Sequence, residues 1–430
     1  MKILIKNAAV VNAAKLQKSA DILIEDGVIT DVKRGINEAA DRVVEAKGLY
    51  AFPGFFDLHA HLRDPGFKRK EDIESGTRSA AAGGFTSVCC MPNTKPPIDS
   101  ARTVKYILKQ AEKLGACEVL PVACITKGMR GGELTDFAAL RAAGAVAFSD
   151  DGMPVEDDEV ILAAMAQAKE QKVLLMLHEE NLKDRGRGVA NEGENARKAK
   201  LHGIPAALED GMTARDIFYA QRTGAQVHIC HVSTAGSVEL VRRAKANGIP
   251  VTCETAPHYF SLTDEEILGK NPNAKVNPPL RSGADRQAVI EGIADGTIDA
   301  IATDHAPHTE SEKKRSFAHA PFGLIGFETA FSLAVTHLYR PGTIRLEDIA
   351  RLMSAAPRTI ARHVGGEVRK GMPADIVLTD IEASFVYTQE EIVSKAKNSP
   401  FIGKQLYGRV MLTIAGGKVT YDRQADRQDH

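Results

Sequence analysis

"AVAFSDDGMPVEDDEVILAAMAQAKEQKVLLMLHEE" occupies residues 145–180. Two apolar runs, 145–148 and 173–177, flank an Ala-rich segment of helical spacing at 161–171. Each run stops on side chains suited to ligation, Asp150 and Asp151 after the first and His178 after the second. Strand, helix, strand in this order is the sequence form of a βα unit, because parallel strands need a crossover of helix length. The paired aspartates sharpen the question of purpose. Adjacent carboxylates repel and raise each other's pKa, so the stretch calls for a cation, a metal or water nearby.

The unit recurs along the chain, as in the Ala-rich "SVELVRRAKANG" at 237–248. Eight strand candidates end near "FDLHAH", "SVCCMPN", "VLPVACIT", "VAFSDDG", "LLMLHEE", "VHICHVS", "VTCETAPH" and "AIATDHAPH". Eight such units predict an α/β fold, a (β/α)8 TIM barrel over 53–364, whose chemistry comes from the C-terminal ends of its strands. That is where His59, His61, Asn93, Asp150, Asp151, His178, His231 and Asp304 fall. The flanks read differently. In 1–52 Asp26-Gly27, and in 365–430 Gly416-Gly417, separate alternating apolar runs as hairpin turns do. The two flanks are expected to pair into one small composite β-sandwich domain.

Composition narrows the partners. Lys+Arg 55 against Asp+Glu 56 leaves a formal net charge of -1, which offers no footprint for nucleic acid or an anionic membrane. No apolar run approaches the roughly 18 residues of a membrane span, and "MKILIKNAAVVNAAK" lacks the continuous apolar core of a signal peptide. A cytoplasmic protein acting on a small molecule is expected. The six cysteines form no CxxC pair and read as buried, reduced thiols. Cys230 beside His231 is set aside as a nucleophile, since neighbours on a strand point to opposite faces. The same parity assigns His228 to packing on the far side of its strand. The polar stretch 181–200 reads as a solvated loop and helix.

His59-Ala60-His61 places two imidazoles on one face of a strand. One such pair is common and decides little. Joined by His178, His231 and strand-end aspartates, it matches the nitrogen and carboxylate ligands of Zn²⁺. So many ligands exceed the needs of one ion, and two metals sharing a carboxylate is the economical interpretation. Arg63, two residues past His61, can share the same face, and a guanidinium suits bidentate capture of a carboxylate. A surface pair with Asp64 is its alternative, as a turn role is for Asn93.

With these residues in place the chain resembles the amidohydrolase superfamily and, within it, the class I dihydroorotases. The matching stretches are "GFFDLHAHLRDPG" (54–66), "CCMPNTKP" (89–96), "FSDDG" (148–152), "LHEEN" (177–181), "CHVST" (230–234), "ETAPHYF" (254–260), "NPPLR" (277–281) and "IATDHAPH" (301–308). The resemblance implies one zinc on His59, His61 and Asp304, a second on His178 and His231, and Asp151 bridging them. It implies that Arg63, Asn93 and His308 grip the substrate carboxylate, while Asn277 and the backbone of Phe322 and Gly323 meet the ring amide groups. The implied reaction is the reversible zinc-dependent hydrolysis of dihydroorotate to N-carbamoyl-L-aspartate, a step of pyrimidine biosynthesis. A bridging hydroxide is the expected nucleophile and Asp304 the expected proton shuttle. A homodimer, and association with aspartate transcarbamoylase, are expected as well.

Three alternatives compete. Hydantoinase- or allantoinase-like relatives carry a carboxylated lysine at the fourth strand end, and residues 144–153 contain no Lys. A catalytically silent partner subunit would not keep all six ligand positions occupied. A serine or cysteine amidase needs an activated nucleophile, and no GxSxG occurs. Parity leaves open which aspartate of the pair faces the metals. The resemblance selects Asp151, and Asp150 is expected to cap the turn or orient a neighbouring donor.

Overall fold

The computed structural model describes residues 1–426. Eight parallel strands, Phe55–Ala60, Phe85–Cys90, Glu118–Ala123, Ala147–Phe148, Leu174–Leu177, Val227–Ile229, Val251–Thr255 and Ala300–Ile301, pair in chain order. The last returns to the first through a parallel bridge between Ala60 and His305, where the His61 N–H donates to the His305 carbonyl at 2.8 Å. The ring of strands is thereby brought nearly to closure as the expected barrel.

Helices pack around it, and their starts are written into the sequence. Asp72 and Ser75 form a capping box at Ile73–Ala82, and Ser100, Asp157 and Thr234 cap Ala101–Leu114, Asp158–Gln171 and Ala235–Ala246. Each side-chain oxygen satisfies a backbone N–H that has no partner within the helix. Two apolar layers result. Phe56, Leu58, Cys89, Met91, Leu120, Val122, Leu174 and Met176 fill the barrel interior. Phe55, Phe85, Phe327 and Phe331 pack between barrel and helices, with Phe55 and Phe331 stacked at 5.6 Å. Each buried phenylalanine contributes about 1.5–3 kcal/mol of transfer free energy.

The flanking segments meet as expected. Tyr50–Pro53 pairs antiparallel with Ile376–Val386, which joins five N-terminal strands and three C-terminal ones, ending at Lys418–Asp422, into one hydrogen-bonded sheet. A single core unites the two contributions, with Ile3, Ile5, Ile22 and Ile24 beside Ile376, Leu378, Leu412 and Ile414. Both hairpin turns hold positive φ at two successive residues, +48° and +84° at Asp26-Gly27 and +54° and +77° at Gly416-Gly417. That is the conformation a tight two-residue hairpin requires. Phe52 carries the small sheet onto the barrel's outer layer, 5.7 Å from Phe331.

Candidate metal centre and active site

Asp151 lies buried where four imidazoles converge. Its Oδ1 is 3.3 Å from His59 Nε2, 3.3 Å from His178 Nδ1 and 3.5 Å from His231 Nε2, and its Oδ2 is 3.5 Å from His61 Nε2. Asp304 completes one side, 3.2 Å from His61 Nε2 and 3.8 Å from His59 Nε2. Donor atoms held 2.0–2.1 Å from a tetrahedral zinc are about 3.3 Å apart, so these separations have the lengths of coordination-polyhedron edges. They divide into two sets, His59, His61, Asp151 and Asp304 on one side, and His178, His231 and Asp151 on the other. His59 Nε2 and Asp151 Oδ1 have no hydrogen-bond partner although both are buried. Unpaired buried polar atoms are costly, and a metal is what this donor chemistry accepts. The residues fit the group.

The electrostatics agree. Burial opposes ionisation of Asp151, but His59, His178 and His231 outweigh it and hold the carboxyl well below the usual range. Burial likewise opposes charge on Asp304, which His61 and His59 bring down to about 2. His178 is raised to about 10 against its own burial by Asp151 and Glu180. A cluster of ionised carboxylates draws positive charge to its imidazoles, and dications would supply that charge more effectively. Three of the site residues hold left-handed backbone, Arg63 at φ +60°, His231 at +38° and Asp304 at +46°. Such conformations persist only where surrounding structure enforces them, and they concentrate at functional sites.

A second ring of contacts positions the first. Glu254, fully buried, places Oε1 3.1 Å from His59 Nδ1 and Oε2 3.2 Å from His228 Nε2, while His228 Nδ1 meets Thr252 Oγ1 at 2.8 Å. Asn93 Oδ1 lies 2.9 Å from His61 Nδ1, and its Nδ2 donates to Asp151 Oδ2 at 3.3 Å. Asn277 donates to Glu180 at 2.8 Å and lies 3.4 Å from His178 Nε2, leaving its Oδ1 buried and unpaired. Asp150 turns away and accepts from the backbone N–H groups of Ile125 and Thr126 and from the Thr126 hydroxyl. It caps the backbone that follows the third strand instead of the turn it begins.

One wall of the site is cationic. Arg63 donates to the Pro307 carbonyl at 3.3 Å and lies 3.5 Å from His308 Nε2, which in turn meets the Phe322 carbonyl at 2.7 Å. Asp64 pairs with Lys68, not with Arg63. Burial, together with Arg63, Lys70 and Lys313, holds His308 neutral. Gly323 has φ +126°, and its N–H donates to the Lys275 carbonyl at 2.8 Å. The polar run after His308 is ordered by Thr309, which caps Glu310–Lys313 and leaves Lys313 buried.

Comparison with known proteins places the chain. The dihydro-orotase-like family model matches residues 48–237. A dihydroorotase of Caldanaerobacter subterraneus subsp. tengcongensis is 46% identical over 98% of both chains, and one of Ruminiclostridium cellulolyticum is 47% identical over 97% of this chain and 98% of its own. The chain belongs to the dihydroorotase family. Its fold is shared with an L-hydantoinase from Arthrobacter aurescens, at a TM-score of 0.88 and 24% identity over 98% of this chain and 96% of that one. A dihydropyrimidinase from Brevibacillus agri is similar at a TM-score of 0.85 and 23% identity, over 99% of this chain and 96% of its own. The family performs cyclic-amide hydrolysis, and the five other residues expected as ligands, His59, His61, His178, His231 and Asp304, gather around Asp151. No helix among the described residues is long and apolar enough to cross a membrane.

Two parity arguments fail here for one reason. The sixth strand ends at Ile229, and the left-handed φ of His231 breaks the alternation. Cys230 therefore lies inside the barrel within ligand reach of His59 and Glu254, on the same side as its neighbour His231. Its thiol remains inert because burial pushes its pKa far up. All six cysteines are buried and free. His228 also faces the interior, one layer beneath His59, and supports Glu254 instead of merely packing. The stretch 181–200 is less solvated than expected. Ala190, Ala196 and Ala199 pack with Ile267 and Phe317, and Arg185 reaches Glu180 at 3.1 Å. Glu180 and Glu254 stood inside motifs already visible in the sequence, "LHEEN" and "ETAPHYF". Lys275 and Lys313 had no such signal.

Proposed function

We propose that this chain is a dihydroorotase, converting dihydroorotate and N-carbamoyl-L-aspartate into one another with two zinc ions per chain. His59, His61 and Asp304 are assigned to one ion, His178 and His231 to the other, and Asp151 to both. The observation that carries the reading is the position of Asp151 at 3.3–3.5 Å from four imidazoles, in a chain whose full-length relatives bear that name. Bound there, zinc would lower the pKa of water toward about 7 and polarise a carbonyl oxygen.

The chain's own residues supply the rest. Arg63, His308 and Asn93 line the wall that would receive the substrate carboxylate, and Asn277 and the 322–323 backbone, which touches His308, are assigned to the ring amide. Hydrolysis joins water oxygen to the ring carbonyl carbon and breaks its bond to nitrogen. Asp304, ionised and 3.2 Å from His61, takes the proton that water gives up and returns it to the departing nitrogen. Ring closure runs the same transfers backward. Side-by-side turnover of dihydroorotate, hydantoin and allantoin tests the assignment. Dihydroorotate is expected to lead, and faster turnover of hydantoin would overturn it. The homodimer and the association with aspartate transcarbamoylase are proposed on family resemblance, to be read by light scattering with and without that partner.

A further inference from the structure

Four cations gather near His308: Lys70, 3.2 Å from His308 Nδ1, is paired with Glu312, whereas Arg63, Lys275 and Lys313 have no carboxylate within ion-pair distance among the described residues. Arg63 rests on the Pro307 carbonyl and His308. Lys275, only 3% exposed, donates to the carbonyls of Ala318 and Ala320 at 2.9 and 2.7 Å and stands 4.5 Å from the centre of the Phe322 ring. Lys313, 6% exposed, donates to the carbonyls of Pro272 and Pro321, both at 2.9 Å. The nearby carboxylate of Glu312 is taken by Lys70 at 3.0 Å. Lys275 and Lys313 close on residues 321–322, and Arg63 reaches them through His308.

Carbonyls satisfy the ammonium hydrogen bonds but leave the charge in place. A buried cation without a counter-charge is costly, and such a cost is tolerated where an anion arrives with a ligand. Burial and the neighbouring cations press Lys275 down to about 8 and Lys313 to about 7. A bound carboxylate would relieve both. Neither lysine is directed at the ligand, since each is turned onto backbone oxygens, so any action on it is through the field.

Resting on the dihydroorotase reading, we propose that Lys275 and Lys313 determine specificity by charge, selecting a cyclic amide that bears a carboxylate over neutral cyclic amides. Dihydroorotate is such an anion, whereas its methyl ester keeps the ring and removes the charge. A charge on the order of 8 Å away, at an effective dielectric of about 20, shifts the affinity for a carboxylate by roughly tenfold or more.

The test uses full-length wild type, Lys275→Met and Lys313→Met, with kcat/KM for the acid and its methyl ester, or competitive inhibition by the ester where it is not turned over. Each Met variant is expected to lose about tenfold on the acid, mostly in KM, and less than about threefold on the ester. Parallel losses on both ligands, or an unchanged acid, would overturn the proposal. If the Met variants do not fold, Lys275→Arg and Lys313→Arg carry the test. They keep the charge and should keep the acid-over-ester preference, and loss of that preference would overturn the proposal equally. Absence of dihydroorotate turnover in wild type would instead defeat the functional reading on which this rests.

Discussion

Glu254→Gln isolates what one buried charge does for the metal centre. The carboxylate, 0% exposed, takes an N–H from His59 Nδ1 at 3.1 Å and holds Oε2 3.2 Å from His228 Nε2 as a charge contact outside hydrogen-bond geometry, which leaves the His59 Nε2 lone pair facing Asp151. Glutamine preserves shape and one acceptor. With its oxygen on His59, its amide must donate to His228 Nε2, and His228 can adjust by donating from Nδ1 to Thr252 Oγ1 at 2.8 Å. Only the charge is then lost. A hydrogen bond to a charged group contributes about 1.5–3 kcal/mol and a neutral one about 0.5–1.5, so the His59 bond loses about 1 kcal/mol, and the lost charge contact with His228 brings the total to about 2 kcal/mol. At 1.4 kcal/mol per factor of ten this is roughly 30-fold in metal affinity, within the 10–100-fold range usual for groups that orient metal-bound histidines. Competition with a chromophoric chelator reads that affinity, and kcat/KM at saturating metal reads what remains of catalysis. Glu254→Ala, which strands both imidazoles, should lose more. Zinc affinity of Glu254→Gln within threefold of wild type would refute the reasoning.

Other outcomes follow from single residues. Asp304→Asn retains an oxygen toward the metals but cannot carry a proton, so it should keep metal and lose about 10²–10⁴ in kcat; near-normal turnover would remove the shuttle role. At Gly323 a Cβ would stand 2.7 Å from Ala306 Cβ and 2.9 Å from its carbonyl oxygen at φ +126°. Gly323→Ala should therefore cost about 1–3 kcal/mol in thermal unfolding and raise KM as the 322–323 backbone shifts. His363 is raised by its hydrogen bond to Glu118, and a group whose folded pKa lies above its unfolded one stabilises fully below the unfolded value, about 6.5. That contribution fades as pH rises through the folded value. Because the pair is partly exposed, His363→Gln should cost no more than about 1 kcal/mol at pH 6 and less at pH 9, as read by denaturant midpoints.

The barrel was legible because each strand is an apolar run that stops on a polar residue, and because capping residues such as Asp72, Ser100 and Asp157 mark the helices. The metal set was legible for the same reason, since barrel geometry brings strand ends together wherever they lie in the chain. Parity said only that one of Asp150 and Asp151 faces the site, with the resemblance choosing Asp151, and it failed at His228 and Cys230, because a single left-handed residue at His231 is invisible to a count of twos. Lys275 and Lys313 escaped detection for a different reason. A lysine in a polar loop reads as solvated, and only the fold reveals that carbonyls from distant segments enclose it. Glu254 stood in a quoted motif, yet nothing local distinguishes a carboxylate that orients a ligand from one that simply ends a strand.

The central claim is that the residues around Asp151 form a two-metal centre that hydrolyses dihydroorotate. It is tested most directly by stripping the full chain with chelator and following dihydroorotate hydrolysis while zinc is returned in measured equivalents. Activity should vanish on stripping and climb to its maximum at two equivalents bound per chain. Undiminished turnover in the metal-free protein, or tight binding of two zinc ions without any turnover, would contradict it.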